Sequence, residues 1–246
     1  MKFHVYCSEC SSQDSETECL PSKLEIKNDW SYEFTCPNGH ANILDLMNQK
    51  FEILFEIGAH AIIDGYYREA VSSFTSALER FYEFFIKTIC LSKDIELEPF
   101  INTWKEISSQ SERQLGAFIF LYFTELKEEP LLLSKKSVSF RNDVIHKGLI
   151  PDQKQAIQYG QEVMVIINTI LNRLREEYKH FLNIAILSDL PDRISPLSDE
   201  KINSTYTLAL ILNAGMDNQR PKKFDLSEAL LRIQNQKFFY DNIANK

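Results

Sequence analysis

Arg141, Asn142 and His146 fall within six consecutive positions of the stretch Ser139-Phe140-Arg141-Asn142-Asp143-Val144-Ile145-His146-Lys147-Gly148. Their side chains suit chemistry on a phosphodiester. A guanidinium can hold two phosphate oxygens at once. An imidazole passes a proton near neutral pH, and an amide can orient a hydroxyl or that imidazole. Gly148 and Pro151 mark a break, with Gly suited to a helix end and Pro to the first turn of the next helix.

Helical spacing sets a constraint on these groups. Asn142 and His146 are four apart and share a face, whereas Arg141 and His146 are five apart, roughly 140° around the axis. A regular helix therefore does not aim Arg141 and His146 at one atom. Either the helix is distorted here, or a second copy of the motif completes the site, which predicts a two-fold homodimer. Two plainer roles compete: Arg141 could pair with a carboxylate, and His146 could close a helix C-terminus, where the dipole favours a cation. Lys135, Lys136, Arg141 and Lys147 make this the most basic local stretch of the chain. It would draw an anionic substrate such as RNA, with Lys135, Lys136 and Lys147 as candidate RNA-binding residues.

A second cluster lies near the N-terminus. Four of the five cysteines fall in the first forty residues: Cys7, Cys10, Cys19 and Cys36. Cys7-Ser8-Glu9-Cys10 forms one knuckle, and Cys36-Pro37-Asn38-Gly39-His40 forms a second around a Pro-Asn-Gly turn. In a chain without a recognisable secretion signal such clustering reads as metal rather than disulfide. Cys7, Cys10, Cys36 and His40 are the expected ligands of a structural zinc, four of them and so a closed site. Cys19 is the spare. Strands are expected at 2–6, 23–27 and 31–35, the last two as a hairpin about Asn28-Asp29. The whole reads as a zinc-ribbon-like module over residues 1–42. About forty residues hold no fold without such a staple. The ribbon's own use, for RNA, for a partner protein or for stability alone, is open at this level.

The 246 residues are 44% hydrophobic and 25% charged with only seven glycines, which points to a globular and mainly α chain. A formal net charge of -8 excludes a basic nucleic-acid surface over the whole molecule, so such a contact must be local. No apolar run approaches twenty residues, and the N-terminal residues do not read as a signal peptide, so the expectation is a cytoplasmic protein with no membrane partner.

Apolar residues at three- and four-residue steps predict helices from about residue 43, beginning at Ile43-Leu44 and Met47, with a break at Asp64-Gly65 and a long second helix from Tyr66 to about 92. Two shorter helices follow between about 97 and 127, and one long helix is expected from Asp152 to Leu187. Glu79 and Arg80, beside the stripe of the second helix, read as a solvated polar face with an ion pair. After a linker at 190–196, two more helices are expected near 199–213 and 226–243, separated by a loop.

Two long helices, a shorter pair, and then Arg141-Asn142-Asp143-Val144-Ile145-His146 just ahead of a final long helix resemble the HEPN superfamily, whose mark is Arg-x4-6-His, often with a polar residue after the arginine. The opening Tyr-Tyr-Arg-Glu-Ala-Val-Ser-Ser-Phe of the second helix also looks like HEPN chains. The likeness covers about residues 48–187 and neither the ribbon nor the tail. It implies a mainly α fold: a HEPN-like helical domain at 43–190 between the ribbon and a C-terminal helical extension at 191–246. It implies a homodimer whose two motifs share a cleft, and a metal-independent endoribonuclease of the toxin or antiphage-defence kind, with an antitoxin or defence-system protein as partner. On that pattern His146 transfers the proton, Arg141 stabilises the phosphorane-like charge and Asn142 orients. Not every HEPN protein cuts RNA. The alternative is a dimerisation or interaction module whose zinc ribbon binds a partner.

Overall fold

The computed structural model describes residues 1–12, 20–28, 30–188, 202–208, 210–215 and 224–243. Cys19, the linker at 190–196 and most of the 215–223 loop lie outside these. The chain forms two compact units, one of Met1–Asn48 with Ile186–Ala209 and one of Gln49–Ala185 with Leu210–Lys246. The expected divisions at 42 and 190 follow the sequence order, whereas each unit draws on two separate stretches of chain.

The first unit is built on two small sheets. β1 (Lys2–Val5) pairs antiparallel with β2 (Ser22–Glu25), with Phe3 opposite Leu24. β3 (Ser31–Thr35) pairs antiparallel with β4 (Ala41–Leu46), and β4 pairs in parallel with β5 (Ile202–Tyr206). A short helix, α1 (Ser8–Ser12), follows β1. The expected hairpin about Asn28-Asp29 is therefore replaced. The second and third strands belong to different sheets, and the tight turn that joins partners is the Cys36–His40 knuckle. Ile43 and Leu44 are strand residues, not the start of a helix. They sit in the central strand of three, where both faces are covered, and so form a continuous buried run instead of an alternating one. The parallel strand β5 stands where a helix near 199–213 was expected. Asn48 fixes the end of that pairing: its amide receives the Leu208 N–H at 2.7 Å and donates to the Leu208 carbonyl at 3.2 Å.

The second unit is helical and is organised on α3 (Tyr67–Leu91), which packs against α2 (Lys50–Ile63), α5 (Ser111–Leu126), α6 (Lys135–His146) and α7 (Gln153–Glu177). Its stripe of Val71, Phe74, Leu78, Phe81, Phe85 and Ile89 is buried at helical spacing. Phe74 is clasped between two helices at glycines: a Cβ on Gly58 of α2 or on Gly160 of α7 would come within 2.6 or 2.5 Å of its ring. Gly65 takes φ +82 in the expected break between α2 and α3. α4 (Leu97–Lys105) precedes α5.

The expected single helix from Asp152 to Leu187 is two. α7 starts at an Asp152–Gln155 capping box and ends at Tyr178, where φ is -127 and ψ 24; α8 (Lys179–Leu187) then begins. α9 (Leu226–Ile243) has the expected bounds and packs on α2 and α7. Gln161 of α7 holds its approach by donating to the Phe224 carbonyl at 2.8 Å and receiving the Leu226 N–H at 2.7 Å. Before α9, residues 210–215 are tied to the bundle through backbone groups: Ile211 N–H to Glu56, Ala214 N–H to Glu52 and the Asn213 carbonyl to Arg175.

Candidate functional site

The four expected metal ligands converge in the first unit. Cys7 lies between β1 and α1, and Cys10 lies in α1; the first knuckle is closed by the Ser11 N–H and hydroxyl, both donated to the Cys7 carbonyl. Cys36 and His40 are presented by the β3–β4 turn, where Gly39 takes φ +89, the Gly39 N–H bonds the Cys36 carbonyl at 2.9 Å and the Cys36 N–H bonds the His40 carbonyl at 3.0 Å. Cys10 Sγ and Cys36 Sγ are 3.8 Å apart. His40 Nδ1 stands 3.7, 3.2 and 3.5 Å from the sulfurs of Cys7, Cys10 and Cys36. All four ligand atoms lie within 4.8 Å of one another. A tetrahedral ion with metal–sulfur bonds of about 2.3 Å and a metal–nitrogen bond of about 2.0 Å has edges of about 3.8 and 3.5 Å, so the cage is the right size. The His40 N–H and the Asn38 amide also reach sulfur, Cys36 and Cys10 respectively, each at 3.3 Å, as donors to thiolate do in metal knuckles.

The thiols point the same way. Burial raises Cys7, but the Cys10 and Glu9 backbone amides with Asn42 and His40 outweigh it and bring it down to about 7. Cys10 receives the Asn38 amide, yet burial and the adjoining Cys36 and Cys7 push it up to about 11. Four soft and borderline donors, three thiols and an imidazole, face one another in this pocket with their ligand atoms within 4.8 Å. The group can therefore hold a metal ion.

In the second unit α6 runs unbroken from Lys135 to His146, with Ser134 as its N-cap. Ser137, Phe140, Arg141 and Val144 form its inner row at three- and four-residue steps, and Val144 is fully buried. Phe140 meets the ring of Tyr159 on α7 at 5.9 Å. Arg141 thus faces inward, its Nε buried without a hydrogen-bond partner. His146 is exposed, while Asn142 is half-buried on the same side of the helix. The regular helix leaves no local distortion that would aim Arg141 and His146 at one atom.

Two acidic residues that the sequence reading did not attach to the motif lie beside it. The Glu112 carboxyl, at the start of α5, is held below its usual range by its own backbone N–H and the Ser111 hydroxyl, with Arg141 and His146 adding to the effect. Glu79 of α3 is pushed up by burial, against the opposing pull of Arg80 and Arg141. Arg80 itself pairs with Glu83 at 2.5 Å and donates to Gln114 at 2.8 Å, so the expected ion pair exists but not with Glu79. Sequence carried a partial signal for Glu79, which shares a helix face with buried Thr75 and Tyr82. For Glu112 it carried none, because the residue lies on a separate helix, α5.

The lysines are spread out. Lys135 and Lys136 are exposed at the first turn of α6, and Lys147 sits past its last turn, about 18 Å farther along the axis. Lys147 pairs with Asp143 at 2.8 Å. The basic stretch expected around the motif becomes two separate spots, one of them partly neutralised. No helix among the described residues is long and apolar enough to cross a membrane.

No family model, curated protein or solved structure matches this chain. The likeness to the HEPN superfamily rests on the motif, its place in the order of helices and the opening of the second helix.

Proposed function

We propose that the chain is a metal-independent endoribonuclease of the HEPN type, an effector of a toxin–antitoxin or antiphage system. The observation that carries this reading is that Arg141, Asn142 and His146 stand on the last two turns of one regular helix, α6, just ahead of α7, with Asn142 and His146 on one side. Arg141 and His146 both border the C-terminal half of α6. An RNA phosphate there would be held by Arg141 while His146 moves a proton. The 2′-hydroxyl attacks the adjacent phosphorus, the O2′–P bond forms, the P–O5′ bond breaks, and the products are a 2′,3′-cyclic phosphate and a free 5′-hydroxyl. Arg141 offsets the charge of the phosphorane-like transition state, and Asn142, one turn from His146, orients the hydroxyl or the imidazole. A homodimer supplies a second copy of each group, which answers the geometry of an undistorted α6.

We infer that the metal is zinc and that its role is structural. A Cys3His set closes all four tetrahedral positions and leaves none for a substrate. One observation favours a second reading, an interaction module that uses the ribbon to bind a partner: Arg141 lies on the inner row of α6, where it could serve packing alone.

Cleavage of RNA by wild type in EDTA, beside His146→Ala, decides between them. The ribonuclease reading expects cyclic-phosphate ends from wild type and at least a hundredfold loss in the variant. Equal cleavage by both, or none by either, goes against it.

A further inference from the structure

Phe120 is 73% exposed and Phe123 51% exposed, both on the outer side of α5. The inner side is occupied by Phe118 and Tyr122, whose rings meet Tyr82 and Phe85 of α3. The two outer rings stand about 60° apart around the axis and about 4.5 Å apart along it. Arg113 lies seven residues before Phe120, within about 20° of it around the helix. Lys127, seven residues after, is the left-handed C-cap, and its ammonium turns back to the Thr124 carbonyl on the same side. A cation therefore stands at each end of the exposed rings, the two about 20 Å apart. Between them the surface is low: a Cβ on Gly116 would meet nothing within 4 Å. Neither cation forms an ion pair among the described residues. Arg113 donates only to the Glu106 carbonyl, at 3.3 Å. Of the nearby carboxylates, Glu125 is committed to Lys93 at 2.6 Å and Glu128 to Arg173 at 3.3 Å. Glu112 stands about 80° around the axis from Phe120, and Glu129 lies past the helix end.

We propose that this side of α5 is a stacking platform for single-stranded RNA, with bases on Phe120 and Phe123 and phosphates at Arg113 and Lys127. The platform names the form of substrate held, and it rests on the ribonuclease reading for its use but not for the binding. Exposed rings interleaved with cations are what an unpaired strand needs, because every base has a π-face and every nucleotide a charge. In a chain of net charge -8, two cations free of carboxylates give an anion a local track. A second copy of the chain fits this surface poorly. An antiparallel two-fold pairing centred on Phe120 would set Arg113 of each copy against Lys127 of the other, like charge on like. A partner helix fits it poorly too, since the outer row offers two phenyl rings over glycine, alanine and threonine and no Leu, Ile or Met for a groove.

The test is fluorescence anisotropy of a labelled single-stranded 2′-O-methyl oligonucleotide with the full chain. That probe lacks the hydroxyl that the proposed cleavage uses, so binding is read by itself. Phe120→Ala with Phe123→Ala should raise Kd at least tenfold with an unchanged melting temperature, since both rings are exposed. Phe120→Tyr should bind like wild type, whereas Phe120→Leu, equally apolar but without a π-face, should lose several-fold. Arg113→Gln with Lys127→Gln should reduce the salt slope by about 1.4. The same sequence as a duplex should bind at least tenfold more weakly. No binding by wild type, an unchanged Kd in the double Phe variant, or a Phe120→Leu chain that binds like Phe120→Tyr overturns the proposal. So does sedimentation in which the double Phe variant splits a wild-type dimer, which would give this face to a second copy. Binding as expected without any cleavage of ordinary RNA keeps the platform and removes the ribonuclease reading. Cleavage by a double Phe variant of wild-type affinity does the reverse.

Discussion

Glu56 accepts the backbone N–H of Ile211 at 3.0 Å, with its carboxylate almost fully buried. Burial drives the carboxyl up to about 7, and the single amide only partly opposes this. A proton bound by the native state and released in the unfolded one stabilises the fold below pH 4.5, and that contribution is lost as pH rises through about 7. The shift corresponds to roughly 3 kcal/mol at most. Urea unfolding should therefore show lower stability at pH 8 than at pH 5. Glu56→Gln, which cannot ionise, should flatten that difference. An equal slope in the variant would mean that Glu56 is not its source.

The Cys3His cage makes a sharper prediction. Purified protein should carry about one zinc per chain, and Cys36→Ser or His40→Ala should bring that close to zero. Cys19→Ser, outside the ligand set, should leave it unchanged. Because two short sheets cannot hold themselves without a staple, metal loss should also remove hydrogen-exchange protection from the β3–β4 amides while α3 stays protected. Full zinc content in Cys36→Ser would break the assignment of that ligand.

Gly160 and Gly116 form a contrast within one bundle. A methyl group at Gly160 meets the ring of Phe74 at 2.5 Å and Leu226 at 2.8 Å, whereas at Gly116 it meets nothing within 4 Å. Gly160→Ala should cost about 1–3 kcal/mol through overpacking. Gly116→Ala should instead add about 0.5–1 kcal/mol, since it only removes a poor helix former from the interior of α5. Chemical denaturation of the two variants side by side checks both signs.

These contrasts show what a single sequence carries and what it does not. The break at Asp64-Gly65, the long α3, the bounds of α9 and the Cys7/Cys10/Cys36/His40 cluster were legible because each depends on local periodicity, turn chemistry or ligand spacing. The β4–β5 pair was not. Ile43 and Leu44 precede Met47 and Phe51 at helical steps, and one of the two strands that β4 pairs with lies past α2 to α8 in the chain, at Ile202–Tyr206. The motif on α6 was legible as residue types, and its helical geometry followed from the spacing. Its surroundings were not legible, because α3 and α7 meet α6 and its neighbours through tertiary packing that no local pattern records.

The lysines of α6 offer a last discrimination. Lys135 and Lys136 stand exposed at a helix N-terminus, where the dipole does nothing to hold a cation and an approaching phosphate is favoured instead. Lys147 already spends its charge on Asp143, which holds its own pKa above the ordinary lysine value. If RNA follows α6, Lys135→Ala with Lys136→Ala should weaken binding about tenfold and reduce the salt slope by up to about 2. Lys147→Ala should change affinity less than threefold. Fluorescence anisotropy of a labelled RNA across 50–200 mM salt reads both quantities. A larger loss from Lys147→Ala than from the pair would place the RNA at the C-terminal end of α6, beside His146 alone.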